Sequence, residues 1–402
     1  MSGVSIDPRL SVPRTAPKKS LQFSWSDPRF RNIVWQVLIL GAVAAIIWYL
    51  VSNTRANLAA RHIATGFEFL GRDAHIPISE SLISYNDVSS TFGRALVVGI
   101  LNTLKVAVVG VLLATIWGTL LGVARLSHNW LVSRLAGVYV EVVRDIPVLL
   151  QLLFWYGLLQ TLPPVRQALH VGPFYFSARG INFPTLDWTH DYWWVLGAVL
   201  VGALGTLMWS RTAAHRQEET GVRPAVWPVA LGMMVLLPLA VWALLGAPWT
   251  PDVPVLGRYN LVGGGNLSPE YGALTLGLVI YTAAYIAEIV RSGILAVPTG
   301  QWEAAGALGL RPGPVLRRVV LPQAMRVIIP PMTSQYLNLT KNSSLAVAIG
   351  FQDVTSIAQT TLNQTGQSIE GIALLMLVYL TISLSISLFM NWYNTRLRLV
   401  ER

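Results

Sequence analysis

Residues 300–313 read GQWEAAGALGLRPG, a short segment with long apolar stretches on both sides. Its first residue, or the threonine before it, can begin a helix, and Glu303 in the first turn suits the positive end of the helix dipole. Gly309, or the proline three residues later, can end that helix. A helix of about ten residues is roughly 15 Å long, too short to cross a membrane. Its residues alone fit two interpretations equally: docking of another protein, or packing on the segment's own loop.

The rest of the chain consists largely of apolar runs. Of the 402 residues, 53% are hydrophobic and 12% are charged, about half the charged share that is usual in soluble domains. Eight runs are candidate membrane spans: residues 33–51, 95–124, 135–160, 192–209, 225–247, 271–287, 327–350 and 371–395. The composition therefore predicts an all-α integral membrane protein with about eight transmembrane helices and excludes an ordinary soluble or disordered chain. A cleaved signal peptide is the alternative for the first run, which is long for that role and lacks a clear cleavage site.

The basic residues indicate the orientation of these spans. With the N-terminus inside, 19 of the 29 Lys and Arg residues lie on the inner side, 7 lie on the outer side and 3 lie within spans. This bias obeys the positive-inside rule and predicts that both termini are cytoplasmic. The run at 327–350 is rich in polar residues, but without it Arg396 and Arg398 would lie outside. The net charge of +10 is scattered over five inner segments, which argues against a nucleic-acid-binding stripe.

No catalytic or nucleotide-binding pattern accompanies the spans. The sequence contains neither a G-x-x-x-x-G-K-[ST] loop nor a G-x-S-x-G elbow. Its six histidines are scattered and it has no cysteine, so we expect no metal site. Transport is therefore favoured over catalysis. A secondary active transporter of a small polar solute is the alternative, although the inverted repeats of many such proteins are not seen.

The opening segment resembles the EAA loop of ABC-importer permeases. Glu303-Ala304-Ala305, Gly309 and Val320-Leu321-Pro322 match its E-A-A-x-x-x-G and downstream I-x-L-P pattern. Further blocks of the same resemblance are residues 287–293, 300–301, 321–324, 329–331, 339–345, 102–104 and 144–151. Together they are similar to the polar-amino-acid subfamily. The long outer loop and the two-span insert look like the larger membrane subunits of general L-amino-acid importers.

This resemblance implies a fold, a function and partners. The fold is a type I importer permease core of five helices with an added N-terminal helix and a two-helix insert. The chain would be the permease subunit of an ATP-driven importer that moves amino acids, of broad range or polar, from periplasm to cytoplasm across a bacterial inner membrane. Its partners would be ABC ATPase subunits, a second homologous permease in a heterodimer, and a periplasmic amino-acid-binding protein. We expect no cofactor in this chain, because ATP and Mg²⁺ would bind the ATPase.

The runs divide the chain into six predicted parts. These are a cytoplasmic tail at 1–32, a first transmembrane helix at 33–52, a periplasmic loop at 53–92, core helices at 93–160, an insert at 161–268, and core helices at 269–396 with a coupling loop at 297–326. Within the periplasmic loop, Leu58, Ile63, Phe67 and Leu70 recur at roughly helical spacing. They predict either an interfacial helix or a packed extracellular loop.

The candidate functional residues lie in the coupling segment and among charges within the spans. The resemblance assigns ATPase docking to Glu303, Ala304, Ala305, Ala307, Leu308 and Gly309. Candidates for the translocation path are Arg144, Asp145, Glu288, Lys341, Asn342 and Ser343, with a structural role as the alternative. A charge in the membrane core costs at least about 2.5 kcal/mol, so it usually faces a cavity or a partner. Lys105 and Asp145 have opposite signs and similar predicted depths, which predicts an ion pair; alternatively, each faces a water-filled path separately.

Overall fold

The computed structural model describes residues 28–60, 65–186, 191–222, 224–246, 251–257 and 260–396. The chain divides into two units, residues 1–66 and 67–402. In the first unit, helix α1 (Pro28–Ala60) contains the first predicted span and is longer than predicted. Leu58 belongs to α1 and not to a separate interfacial helix, whereas Ile63 lies outside the described residues.

The second unit begins with a short 3₁₀ turn and then forms the helical core. The turn, Glu68–Gly71, places Phe69 against Phe92 in a small apolar cluster. The helices that follow are α2 (Phe92–Ala124), α3 (Trp130–Asp145), α4 (Val148–Gln160), α8 (Pro269–Leu295), α9 (Thr299–Ala307), α10 (Pro312–Val315), α11 (Leu321–Asn342), α12 (Val354–Thr365) and α13 (Ser368–Arg396). Leu316–Val320 is a π-helical turn between α10 and α11, and Ser343–Ile349 continues α11 as a 3₁₀ helix.

Side-chain caps fix where several of these helices begin. Thr91 accepts a hydrogen bond from the Arg94 amide at the start of α2, and Ser268 accepts one from the Tyr271 amide at the start of α8. Asp353 accepts one from the Ser356 amide, 2.8 Å away, at the start of α12. Such caps satisfy backbone N–H groups that the first turn of a helix leaves unpaired.

Helix α8 is the most buried helix of the core and packs closely on α2. Gly118 and Gly122 of α2 lie where added side chains would meet α8: a Cβ on Gly118 would lie 2.7 Å from the Ile286 Cβ, and one on Gly122 would lie 2.7 Å from the Ala287 oxygen. Small residues of this kind let membrane helices approach through their backbones. The two helices therefore form a tightly packed pair.

The insert carries two further helical segments and a small sheet. Its helical segments are α5 (Asp191–Thr220) and the run α6 (Trp227–Leu231), a π-helical turn (Gly232–Leu236) and α7 (Leu237–Leu244). Its strands are β1 (Leu169–Val171), β2 (Phe174–Ser177), β3 (Gly180–Phe183), β4 (Thr185–Leu186), β5 (Pro251–Asp252), β6 (Val255–Leu256), β7 (Leu261–Val262) and β8 (Gly265–Leu267). The antiparallel order β1-β2-β3-β8 joins the two flanks of the insert, and β4 pairs with β5 and β6 with β7. The sequence did not predict these short strands.

The helices agree with the predicted spans except in two places. In the described residues, six helices are long and apolar enough to cross a membrane, or seven if the bent pair α3–α4 is one span. The span predicted at 135–160 is sharply broken in the structure, where α3 and α4 meet at 104° just before and after Pro147. The run at 327–350 forms α11, whose Pro330 and Pro331 lie inside the helix, and then tightens into 3₁₀ turns.

The close α2–α8 contact yields a stability prediction. We expect Gly118→Ala to destabilise the folded protein by about 1–3 kcal/mol, since the added methyl overpacks the interface. Gly157→Ala on the exposed face of α4, where no atom lies within 4 Å of an added Cβ, is the matched control and should leave stability nearly unchanged. Thermal unfolding of the purified protein in detergent measures both. Equal melting temperatures for the two variants would contradict the close packing.

Candidate functional site

The coupling segment forms a short helix that is attached to the core by one face. Ala305 is 4% exposed and belongs to the same apolar cluster as Val315, Val320 and Ala324. Gln323 donates a hydrogen bond to Gln301 across 3.3 Å, which ties α9 to α11. The structure therefore confirms that one face of α9 packs on its own loop, and docking of another protein on the exposed face stays a prediction.

The free face of α9 contains most of the predicted docking residues. Glu303, Ala304 and Ala307 are exposed, and Leu308 is 80% exposed. Ala305 is a correction to the predicted docking set, because its methyl group faces the protein's own core. In a helix of nine residues, too few apolar positions repeat to define an inward face. The EAA motif alone therefore did not show which of its two alanines is buried.

The end of α9 requires glycine. Gly309 has a φ of +71°, and the amides of Leu308, Gly309 and Leu310 donate to carbonyls of α9. This left-handed residue ends the helix while keeping its last carbonyl groups paired. The predicted stop at Gly309 is thus confirmed.

Arg144 and Asp145 lie at the sharp bend between α3 and α4. Pro147 lacks an amide hydrogen and forces the preceding residue into an extended conformation, so α3 cannot continue. The buried side chain of Gln151 donates to the Val143 oxygen at 2.9 Å and the Ile146 oxygen at 3.0 Å, so it pairs carbonyl groups that the bend has freed. Sequence reasoning did not identify this role of Gln151.

The bend presents Arg144 toward α8. Both Arg144 and Asp145 are exposed, and the Arg144 guanidinium carbon lies 5.0 Å from the centre of the Tyr285 ring. The hydroxyl groups of Tyr281 and Tyr285 lie 3.2 Å apart beside it. This cation, polar and aromatic grouping is available to a small polar solute.

Glu288 is held in an ion-pair network. Its carboxylate contacts Arg125 at the end of α2 and lies 3.3 Å from an Arg291 nitrogen on α8. Glu288 was predicted as a path candidate, but these pairs give it a structural partner on each side. The network joins the C-terminal end of α2 to the C-terminal part of α8.

Lys341, Asn342 and Ser343 differ in exposure. Lys341 is exposed and has no ion pair among the described residues, Asn342 is half-buried, and Ser343 is fully buried. The Ser343 hydroxyl donates to the Thr340 oxygen at 2.7 Å, so it satisfies the helix backbone. Of these three path candidates, Lys341 is the charged one, and its side chain is exposed.

Lys105 is paired with Glu80 and not with Asp145. Its ammonium lies 2.6 Å from a Glu80 oxygen and 4.0 Å from the centre of the Tyr271 ring. Arg144 lies beside Tyr285, which is roughly 21 Å from Tyr271 along α8 at 1.5 Å per residue. The predicted Lys105–Asp145 pair is therefore not formed, because the bent α3 ends far from the level of Lys105.

The Glu80 carboxylate has a second partner at the start of α8. Its other oxygen accepts a hydrogen bond from the Ser268 amide at 2.7 Å, and its backbone oxygen accepts one from Asn102 at 2.9 Å. Sequence reasoning missed Glu80 and Ser268. Glu80 lies in an irregular loop, where no periodicity shows which partner its carboxylate has.

An apolar groove in the second unit does not suit a polar solute. It has a volume of about 690 Å³ and lies between α2, α11 and α13. Its lining is almost entirely apolar, with Leu104, Val108, Leu377 and Phe389 among its residues. The polar candidates therefore lie elsewhere, at the α3–α4 bend and at the start of α8.

The buried carboxylate of Asp353 yields a second stability prediction. We expect Asp353→Ala to destabilise the protein by about 1–2 kcal/mol, because it removes the cap of α12 and the 3.4 Å contact with the Tyr379 hydroxyl. Asp353→Asn keeps a capping oxygen and should lose less. Thermal unfolding in detergent compares them, and an equal loss in both variants would show that the cap contributes nothing.

Comparisons with known proteins identify the relatives of this chain. The family model described as binding-protein-dependent transport system inner membrane component matches residues 224–399. The general L-amino acid transport system permease protein AapQ of Rhizobium johnstonii is 49% identical over 388 residues, which cover 95% of this chain and 96% of AapQ. The amino-acid ABC transporter permease protein YhdX of Escherichia coli is 47% identical over 98% of this chain and 100% of YhdX.

A third relative and one solved structure complete the comparison. The glutamate/glutamine/aspartate/asparagine transport system permease protein BztB of Rhodobacter capsulatus is 41% identical over 94% of this chain and 96% of BztB. A crystal structure of an amino acid ABC transporter with histidines aligns with 76% of this chain and 95% of its own, at 20% identity and a TM-score of 0.45.

Proposed function

This chain belongs to the inner-membrane permeases of binding-protein-dependent amino-acid importers, and from that premise we propose that it receives the force of ATP hydrolysis through α9. It is a multi-pass membrane protein and the permease subunit of an amino-acid importer.

The observation that carries the proposal is the two-sided packing of α9. Buried Ala305 fixes the helix to the core, while Glu303, Ala304, Ala307 and Leu308 remain exposed. A surface of small side chains with one carboxylate and one leucine suits a groove on a partner. Such a surface on a helix of only nine residues has no evident use within the chain.

The connection to α8 explains how a push on α9 reaches the membrane. Helix α8 ends at Leu295 and α9 begins at Thr299, so only three residues separate them. Helix α8 is in turn closely packed on α2 at Gly118 and Gly122. A displaced α9 therefore moves a packed helix pair, because interdigitated interfaces shift as rigid bodies.

The partners follow from this role. We propose that ABC ATPase subunits bind below α9 and hold the ATP and Mg²⁺, so that this chain needs no cofactor of its own. A second, homologous permease completes the membrane pore as a heterodimer, and a periplasmic binding protein delivers the amino acid. The complex then lies in the bacterial inner membrane, with both termini of this chain in the cytoplasm.

The substrate path is proposed to pass the α3–α4 bend. The exposed Arg144 guanidinium beside Tyr285 offers a planar donor set for the carboxylate of an amino acid. Lys341 offers a second accessible cation at the end of α11. Contacts to the carboxylate, which all amino acids share, fit a broad range of L-amino acids, as the name of AapQ states for that relative, whereas the name of BztB states glutamate, glutamine, aspartate and asparagine.

The end of α9 provides a test of coupling. We expect Gly309→Asp to reduce ATP-driven uptake roughly tenfold, because Gly309 has a positive φ and a carboxylate there opposes the negative end of the α9 dipole. Uptake of a labelled amino acid into proteoliposomes with the full importer measures this loss. Gly313→Asp, also in open space but at the start of α10, is the matched control and should transport normally. Normal uptake by both variants would refute the coupling role.

A further test addresses the path residues. We expect Arg144→Ala and Lys341→Ala to raise the KM for uptake by about tenfold or more, since a hydrogen bond to a charged group contributes about 1.5–3 kcal/mol. Arg211→Ala, an exposed position on α5, serves as control, and all three should keep ATPase binding in a pulldown. An unchanged KM for Arg144→Ala would place the path elsewhere.

A further inference from the structure

We propose that Glu80 is a tethered carboxylate that occupies a substrate subsite, and that the carboxylate of the arriving amino acid replaces it on Lys105 and the Ser268 amide. The subsite lies at the start of α8, on the side that the charge bias predicts to be periplasmic. The inference rests on the proposed transport of amino acids by this chain. It adds a binding site and a device that keeps the site closed when no substrate is present.

The subsite is built for one carboxylate group. One oxygen of Glu80 lies 2.6 Å from the Lys105 ammonium, and the other lies 2.7 Å from the Ser268 amide nitrogen. The amide belongs to the residue that caps α8, a helix of 27 residues, so the positive end of its dipole faces the carboxylate. The Lys105 and Glu80 side chains are 22% and 10% exposed, so water screens this pair only weakly.

The side-chain oxygen of Asn102, beside the subsite, has no hydrogen-bond partner in the described residues. Asn102 is 1% exposed, and its side-chain nitrogen donates to the backbone oxygens of Glu80 and Gln352, each at 2.9 Å. Its side-chain oxygen is buried and accepts no hydrogen bond from any described residue. An unpaired buried acceptor is costly. The α-ammonium of an amino acid is a donor that fits this acceptor, so one amino acid would satisfy Lys105, Ser268 and Asn102 together.

Glu80 lies on a loop whose base is fixed and whose tip is held by polar contacts. The base is closed by the bridge between Asp73 and Thr91 and by the packing of Phe69 on Phe92. Near the tip, exposed Ser79 donates to the Gln352 side chain at 2.8 Å, and Asn102 donates to the Glu80 backbone oxygen at 2.9 Å. Exposed hydrogen bonds such as that of Ser79 can be replaced by hydrogen bonds to water. The apolar packing at the base has no such replacement. The tip can therefore leave while the loop stays attached.

Electrostatics makes this exchange depend on an incoming anion. If Glu80 left alone, the partly buried Lys105 would lose its counter-ion, which is strongly unfavourable. An amino-acid carboxylate restores the same charge and the same two hydrogen bonds. Departure of the Glu80 tip is thus linked to arrival of the substrate, because the two carboxylates compete for the same site.

The test is direct binding of labelled L-glutamine to the purified importer complex in detergent, without its binding protein. Glu80→Gln removes the competing charge, so it should bind L-glutamine at least about fivefold more tightly, as expected when more of the protein has a vacant site. Lys105→Met should weaken binding below that of the unaltered protein. L-Glutamine amide, which lacks the α-carboxylate, should not compete. Glu68→Gln, an exposed glutamate of the same loop region, is the matched control and should bind as the unaltered protein does.

A second measurement follows the position of the loop tip directly. The chain contains no cysteine, so a spin label on Ser81→Cys reports on the loop tip alone. L-Glutamine should increase the mobility of the label, and Glu80→Gln should show high mobility without it. Equal affinity in Glu80→Gln and the unaltered protein would overturn the proposal. So would a tip that is released only when the binding protein is added, since the displacing carboxylate would then belong to that protein.

An uptake assay with the unaltered complex in proteoliposomes distinguishes failure of the subsite from failure of the proposed function. ATP-driven uptake of L-glutamine together with unchanged binding in Glu80→Gln would reject the subsite while leaving the transport role in place. Absence of amino-acid uptake by the unaltered complex would instead count against the proposed function itself.

Discussion

The close approach of α2 and α8 is the constraint on which the rest of the second unit depends. In the membrane, helices gain little from burying apolar surface against each other, because lipid is equally apolar. Gly118 and Gly122 let α8 approach the backbone of α2, and dispersion contacts then hold the pair. Other elements are placed relative to this pair: α4 and α11 pack on α8, and α12 packs on α2 where Gly99 meets Val354.

An ion pair lies near each end of α8. The inner pair, on the side that the charge bias predicts to be cytoplasmic, joins Arg125 of α2 to Glu288 of α8. Near the start of α8, Lys105 of α2 lies over Tyr271 and pairs with the loop residue Glu80, which also binds the Ser268 amide. The inner pair joins two helices of one rigid body, whereas the outer pair joins that body to a loop. That difference is why the outer pair can act as a removable contact and the inner pair serves as a brace.

The same helix pair connects the coupling surface with the candidate substrate contacts. Helix α9 follows α8 after three residues, Arg144 lies beside Tyr285 on α8, and Glu80 is bound at the start of α8. A displacement of α8 driven from α9 would alter both of those contacts. Coupling of this type needs no separate relay, because one packed helix reaches all three places.

Local pattern accounts for what the sequence predicted. Length, hydropathy and charge bias indicated an all-α membrane protein, and the 300–313 segment predicted a short helix ended by Gly309 or Pro312; in the structure α9 ends at Ala307, just before the left-handed Gly309. The EAA pattern with its flanking blocks indicated the permease family that the relatives then established. These features are local, since hydropathy, helix caps and a glycine at positive φ depend on residues a few positions apart.

Contacts between distant residues could only be seen in the tertiary structure. Glu80 is 25 residues from Lys105 and 188 residues from Ser268, and it lies in a loop without periodicity, so no sequence pattern paired them. Asp145 had the right sign for Lys105, but the 104° bend after α3 places it at another level. Ala305 and Ala304 are equivalent in the motif, yet only Ala305 faces the core. The sequence alone determined which helices form and to which family they belong; the folded chain decided which charges meet and which faces remain free, because those depend on the distances between helices.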